Sequence, residues 1–318
     1  MKIVILDGHA VNPGDLSWDF LNPFGEVIVY ERTPVEEVAK RIGDADIVLT
    51  NKSPITEDIL KVCSNIKLVC VLATGYNVVD CEATRKRGIP VCNVPDYGTA
   101  AVAQFTFALL LDLCHKVAHH AETVREGKWC ACPDFCYWET PQMELAGKTM
   151  GIIGFGRIGR AVGKIANAFG MRVIAYNRSQ CEEGKAIGSY VNLEDLLTTS
   201  DIISLHCPLT AENTGMINAD TIAKMKDGTI LINTARGPLV DEAAVCAALE
   251  SGKLRGFACD VISAEPMKVE NPLKNAPNCI VTPHMAWAPI ESRIRIQECT
   301  ERSIRAFLDG KPINTVNM

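Results

Sequence analysis

The segment Gly154-Phe-Gly156-Arg-Ile-Gly159 stands between an apolar run, Met150–Ile153, and a helical pattern over Arg157–Phe169. A strand, a tight turn and a helix must therefore follow one another with almost no slack. Gly154 permits the turn, Gly156 lets a pyrophosphate come close to backbone, and Gly159 lets helix and strand pack together. The helix start presents unpaired N–H groups and the positive end of its dipole to phosphate oxygens. A lone G-x-G-x-x-G carries little weight; the strand before it and the helix after it make it informative. The segment predicts a dinucleotide-binding βαβ unit, with Gly154, Gly156, Arg157, Ile158 and Gly159 as coenzyme contacts. A glycine-rich turn without a ligand is the bland alternative.

The next strand pattern, Arg172–Tyr176, ends in Asn177-Arg178-Ser179. NAD-binding chains commonly place an acid here for the ribose hydroxyls. No carboxylate stands at this point, and the Arg178 guanidinium suits a 2′-phosphate. Asn177, Arg178 and Ser179 are read as coenzyme contacts, with NADP favoured over NAD; a solvated Arg178 is the alternative.

The rest of the chain alternates short β-branched runs with helical stretches, the mark of parallel βα units. Strands are expected at Lys2–Leu6, Val27–Tyr30, Ile47–Thr50, Leu68–Leu72 and Pro90–Asn93, with helices at Pro34–Arg41, Glu57–Val62 and Val79–Arg87. One long helix is expected from Thr99 to Glu126, crossing between domains, then an aromatic loop, Trp129–Pro141. A second strand series follows at Met150–Ile153, Arg172–Tyr176, Asp201–His206, Thr229–Asn233, Gly256–Asp260 and Cys279–Thr282. The tail Glu291–Leu308 carries Ile294, Ile296, Cys299, Ile304 and Phe307 at amphipathic spacing. This is an α/β protein, and 318 residues agree with two domains.

Composition narrows the function. Lys and Arg total 32 and Asp and Glu 38, a net −6 with both signs interspersed. That excludes the basic stripe of a nucleic-acid surface and a polybasic membrane patch. The longest apolar run, Phe105–Leu113, falls short of a bilayer span. The opening MKIVILDGH reaches Asp7 and Gly8 too early for a signal peptide. The 14 Cys are accordingly read as reduced thiols of a cytoplasmic protein. Cys130, Cys132 and Cys136 lack paired C-x₂-C spacing, and His115 and His119 read as a partly buried or interfacial helix face. No metal site is assigned.

Three strand ends carry polar residues: Asn233-Thr-Ala-Arg236-Gly, Cys259-Asp260-Val-Ile-Ser-Ala-Glu265-Pro and Thr282-Pro-His284. For the family that these segments resemble, the reaction is reduction of a 2-keto acid, which needs a hydride donor, a proton donor for the developing alkoxide, and a cation for carboxylate and carbonyl. His284 can be the acid, since imidazole titrates near neutrality. Glu265 can orient that ring and keep it protonated. Arg236 can hold carboxylate and carbonyl through its planar fork. Each residue alone has a dull reading: a surface Arg, a capping Glu, a buried His.

With the glycine motif, these segments closely resemble the D-isomer-specific 2-hydroxyacid dehydrogenase family, in the same order and spacing across essentially the whole chain. The resemblance implies two Rossmann-like domains with parallel sheets. The coenzyme domain, 99–288, would be inserted into a discontinuous substrate domain made of 1–98 and 289–318. The same resemblance gives Arg236, Glu265 and His284 the catalytic roles. It implies substrate contacts at Lys52, Thr74, Gly75, Arg236 and Trp287. It implies coenzyme contacts at Thr106, His206, Cys207, Pro208, Thr234, Ala235, Asp260 and His284, with Asp260 near the nicotinamide carboxamide. Trp287 in HMAWA, with LATGYNVVD, AHHAETV and PDFCYWETP, resembles the glycerate dehydrogenase/hydroxypyruvate reductase branch. Hydroxypyruvate/D-glycerate is therefore the expected substrate pair, glyoxylate a further one. The alternatives are another D-2-hydroxyacid dehydrogenase, or a dinucleotide-sensing regulator on the same scaffold. Formate oxidation is disfavoured because that branch pairs Gln, not Glu, with the histidine. The long regulated phosphoglycerate type is disfavoured because the sequence stops at Met318. Val102, Phe105, Leu109, Leu113 and Val117 leave the long helix more apolar than one monomer is expected to cover, which predicts a homodimer.

Overall fold

A computed structural model describes all residues, Met1–Met318. They form two compact units, Met1–Gly98 with Trp287–Met318, and Thr99–Ala286. The sequence reading sets the return to the first unit at 289; the structure sets it at Trp287. The reason is that the Trp287 ring meets Tyr97 edge-on, at 6.2 Å between centroids, on the first unit's own core.

In the first unit, β1 (Lys2–Ile5), β2 (Glu26–Val29), β3 (Ile47–Thr50), β4 (Leu68–Val71) and β5 (Val91–Cys92) make one parallel sheet. Its order is β2-β1-β3-β4-β5. Every position of β3 and β4 is buried, so these strands read as continuous apolar runs rather than alternating ones. The direction of winding reverses between β1 and β3, which puts a crevice at the loops after those strands. Helix Glu57–Val62 is capped by Thr56 and helix Cys81–Lys86 by Asp80, each accepting an N–H from the first turn. The C-terminal helix, Ile290–Leu308, buries Ile296, Cys299, Thr300, Ser303 and Ile304. Ile294 is exposed instead of lying on the expected stripe, because Thr300 and Ser303 take core positions there. Arg293, buried near the helix start, makes a two-pronged pair with Asp15 at 2.6 Å and donates to the Val11 and Ala288 carbonyls.

The second unit has seven parallel strands: β6 (Thr149–Ile153), β7 (Arg172–Tyr176), β8 (Ser189–Tyr190), β9 (Ile202–Leu205), β10 (Thr229–Asn233), β11 (Leu254–Cys259) and β12 (Cys279–Val281). Their order is β12-β11-β10-β9-β6-β7-β8. The chain winds outward from β6 to β8 and then returns to β9 on the other side. The switch point, where open α/β sheets bind ligands, lies at the ends of β6 and β9.

The expected helix from Thr99 to Glu126 is two helices, Thr99–His115 and Val117–Arg125, bent by 54°. Lys116 between them is left-handed at φ 48, and no Gly or Pro announces the break. The first of the pair does not cross between domains; it lies in the second unit, with Ala103, Phe107, Leu110 and Cys114 in its core. Val102, Leu109 and Leu113 are buried too. No single helix is long and apolar enough to cross a membrane.

Candidate active site

The glycine turn has three distinct jobs. At φ +94, Gly154 takes a conformation that favours glycine, and a methyl there would collide with the His206–Cys207 backbone. β6 and β9 can therefore end side by side. A methyl on Gly159 would collide with the Gly154 carbonyl, so the helix can sit on the turn only with glycine there. Gly156 is the opposite case, with nothing within 4 Å of where its Cβ would stand. The helix Arg157–Ala168 starts at this open spot without a side-chain cap. Uncapped N–H groups facing open space fit a dinucleotide's phosphates. Arg157 is exposed and Ile158 half-buried beside them.

At the end of β7 the structure gives Asn177 a part the sequence does not suggest. Its Oδ1 accepts the Phe155 N–H at 3.1 Å, and its Nδ2 donates to the Ser179 carbonyl at 2.7 Å. The amide thus ties the glycine turn to β7, because a short side chain there reaches both. Arg178 and Ser179 are exposed. Arg178 forms no ion pair, yet its charge is felt across the loop after β9. Burial pushes the Cys207 thiol up, partly offset by a backbone hydrogen bond and, to a smaller extent, by Arg178. Glu212 is held below the usual carboxylate range chiefly by the Thr210 hydroxyl, with a smaller pull from Arg178.

His206 directly follows β9, with Nε2 2.8 Å from Ser204 Oγ and Nδ1 shut off from solvent without a partner. Burial lowers its titration to about 3. The proton is excluded from the folded protein but not from the unfolded chain. The stability that a neutral His206 supports is complete above about pH 6.5 and is lost as pH falls toward 3. Thermal unfolding scanned from pH 7 to pH 4 should show His206→Asn losing less melting temperature than the wild type. Parallel losses would remove His206 as a source of acid sensitivity.

Pro208 is exposed, and its carbonyl accepts from Asn213 Nδ2 at 2.8 Å. Thr106 departs from expectation. It is wholly buried, bonded to the Val102 carbonyl and 3.1 Å from Thr234 Oγ1. No surface of Thr106 is left for a coenzyme, since helix Thr99–His115 faces the sheet core there. Thr234 is half-buried, and the buried Ala235 donates its N–H to Asn233 Oδ1 at 3.0 Å.

The ends of β10, β11 and β12 carry the polar constellation. Arg236 is exposed on extended backbone, its Nη1 donating to the Ala235 carbonyl at 2.7 Å. Asn233 Nδ2 braces the Arg236 carbonyl at 2.9 Å. A methyl on Gly237 would overlap the Ile262 carbonyl, so glycine lets the Arg236 loop lie directly on the Glu265 loop. Glu265 Oε2 is 2.7 Å from His284 Nδ1, and Oε1 accepts the Ile262 N–H at 3.3 Å. His284 itself is left-handed at φ 52, a conformation that costs a non-glycine residue about 1–3 kcal/mol unless neighbours enforce it.

Asp260 does the enforcing. Its buried carboxylate accepts from Thr282 Oγ1 at 2.6 Å, Met285 N–H at 2.9 Å and Ala286 N–H at 2.7 Å. The sequence reading casts Asp260 as a coenzyme contact; the structure shows it holding the His284 turn. At most about one of its four lone-pair positions is left.

In the first unit the loops after β1 and β3 meet at that sheet's switch point. Asp7 accepts the N–H groups of Asn51, Lys52 and Ser53 at 2.7, 2.6 and 2.7 Å. The Lys52 side chain is exposed above this clamp. Thr74 Oγ1 donates to the Val94 carbonyl at 2.8 Å, and Asn93 Nδ2 donates to the Thr74 carbonyl at 2.8 Å. Gly75 follows, half-buried. Asp7 and Asn93 lie outside the sequence expectations, although an Asp directly after a first strand is a usable signal.

A doubly wound sheet with an open glycine turn and a carboxylate–imidazole pair defines a dinucleotide-binding protein equipped to move a proton. Residues 107–286 match the family described as D-isomer specific 2-hydroxyacid dehydrogenase, NAD binding domain. Over 322 residues the chain is 53% identical to the hydroxypyruvate reductase of Blautia hydrogenotrophica, covering 100% of each. It is 40% identical over 318 residues to the glycerate dehydrogenase of Methylorubrum extorquens, covering 99% of this chain and 98% of that one. Among solved structures, the D-lactate dehydrogenase of Aquifex aeolicus, complexed with NAD and lactic acid, shares 30% identity at TM-score 0.84, covering 100% and 99%. The chain belongs to the D-isomer-specific 2-hydroxyacid dehydrogenase family, in its glycerate dehydrogenase/hydroxypyruvate reductase branch.

Proposed function

We propose that this dehydrogenase reduces hydroxypyruvate to D-glycerate, with NADPH preferred to NADH and glyoxylate as a second substrate. The observation that carries the reading is the 2.7 Å pairing of His284 Nδ1 with Glu265 Oε2. With Nδ1 on the carboxylate, Nε2 is the ring nitrogen assigned to the substrate's carbonyl oxygen. Bound coenzyme would supply the hydride to the carbonyl carbon. His284 gives the oxygen its proton, and Glu265 orients the ring and offsets its charge. Arg236 holds carboxylate and carbonyl through its fork and stabilises negative charge as it grows on oxygen.

The second unit is assigned to the coenzyme. Gly154, Gly156, Arg157, Ile158 and Gly159 would hold the pyrophosphate, and Arg178 and Ser179 the ribose end. His206, Cys207, Pro208, Thr234 and Ala235 would line the same crevice, with the remaining lone pair of Asp260 toward the carboxamide. The first unit is assigned to the substrate, with Lys52, Thr74, Gly75 and Trp287 as contacts. A panel of 2-keto acids with both coenzymes tests the reading. Hydroxypyruvate should give the highest kcat/KM; a flat profile, or no turnover with any acid, would defeat it in favour of a broad dehydrogenase or a sensor.

We also propose a homodimer, now on different grounds. Helix Thr99–His115 is largely covered within the chain, but Val117, Trp129, Phe135 and Trp138 remain 65, 52, 88 and 66% exposed. Apolar side chains this bare, gathered on one helix and the loop beside it, suit a second copy of the chain. Sedimentation at micromolar concentration should give twice the 34.6 kDa chain mass. A monomer mass would contradict it.

A further inference from the structure

One carboxylate beside the Glu265 loop has no part in the chemistry above. Glu242 opens the helix Glu242–Glu250, whose Val245, Ala248 and Leu249 are buried. Asp241 fixes the helix start by accepting the Ala243 and Ala244 N–H groups at 3.0 and 3.1 Å. From this base, Glu242 Oε1 accepts the Ser263 N–H at 2.6 Å and Oε2 accepts from Asn271 Nδ2 at 2.8 Å. Asn271 is anchored in turn, its Oδ1 accepting the Leu273 N–H at 2.9 Å.

Ser263 directly follows Ile262, whose N–H goes to Glu265. Two successive amides therefore serve two carboxylates. One draws the loop to a helix anchored by its buried face; the other is the carboxylate aimed at His284. From another side, the close approach of Gly237 pins the same Ile262–Ser263 backbone. Hydrogen bonds to an ionised acceptor are about twice as strong as neutral ones, and a carboxylate is favoured in a helix's first turn. The Glu265 side chain is itself partly exposed, so its aim depends on the backbone that carries it.

We infer that Glu242 is a positioning residue for the reaction. By fixing the backbone at Ile262–Ser263 it sets the direction of Glu265 toward His284. The inference rests on the proton-donor reading of that pair. Glu242→Ala should lower kcat for keto-acid reduction by about 10- to 100-fold, as a small misplacement near the chemistry does. KM for the keto acid and the coenzyme Kd, measured by titration calorimetry, should not change. Glu242→Gln, whose amide oxygen can still accept the Ser263 N–H, should recover most of the loss. The double variant Glu242→Ala/Glu265→Ala should be no slower than Glu265→Ala alone, because the two act as one unit.

Wild-type kcat in Glu242→Ala would overturn the inference. So would losses that multiply with those of Glu265→Ala, or a loss that tracks melting temperature and vanishes on cooling. If Glu242→Ala does not fold, Glu242→Gln and Glu242→Asp decide through the same coupling to Glu265. If Glu265→Ala itself turns over normally, the proton-donor reading fails first; if only the Glu242 variants do, the inference alone fails.

Discussion

His284→Ala should lose about 10²–10⁴-fold in turnover, the range for removing a general acid or base. Its coenzyme affinity should stay near wild type. The two effects separate because His284 is placed by loops, not by the glycine turn. Asp260 holds the Met285 and Ala286 N–H groups, so the surrounding turn keeps these bonds when the imidazole and its pairing with Glu265 are gone. Alanine adopts a left-handed backbone less readily than histidine, but the Asp260 bonds to Met285 and Ala286 enforce the turn, so the fold should survive. Steady-state kinetics with hydroxypyruvate, beside calorimetric coenzyme titration, checks both halves. Turnover within a few-fold of wild type would show that another group supplies the proton.

The second large effect is coenzyme choice. NADPH should exceed NADH in kcat/KM by about 10- to 150-fold, the worth of one charge-assisted hydrogen bond of ~1.5–3 kcal/mol. Arg178 is the source: exposed, in no ion pair, and close enough to the loop after β9 to act on Cys207 and Glu212. Asn177→Asp should shift preference toward NADH. The carboxylate can still accept the Phe155 N–H that Asn177 now takes, so the glycine turn is kept, while the bond to the Ser179 carbonyl is lost and a charge that repels a 2′-phosphate is added. Arg178→Ala should move preference the same way without touching that bond. Equal efficiency with both coenzymes would mean Arg178 acts as a solvated surface charge. A strong NADH preference in the wild type would refute the assignment.

How much was legible in advance differs by element. β3, β7 and β10 fall on the runs read as Ile47–Thr50, Arg172–Tyr176 and Thr229–Asn233, because buried parallel strands are unbroken apolar segments bounded by turns. The short helices Leu193–Thr199, Ala219–Lys224 and Glu242–Glu250 lie outside the sequence expectations, although Asn192, Asn218 and Asp241 cap them and are usable marks. The bend at Lys116 had no such mark, since a lysine in a left-handed conformation is imposed by what packs on either side.

Local chemistry is what the sequence by itself determined. A strand, three glycines at fixed spacing and a helix leave one way to build the turn. Arg, Glu and His at successive strand ends name a proton donor, its partner and a cation before any coordinate is known. Only the tertiary structure decided which of these side chains meet and which are occupied elsewhere. It joined Glu265 to His284 across 19 residues, put Asp260 to bracing the His284 turn, buried Thr106 and drew Asn177 into the glycine turn. The reason is physical. Turn geometry and helix starts are set by neighbours along the chain. Hydrogen-bond partnership and burial are set by whatever distant segment the packed sheet brings alongside, and a side chain's type does not say which partner that will be.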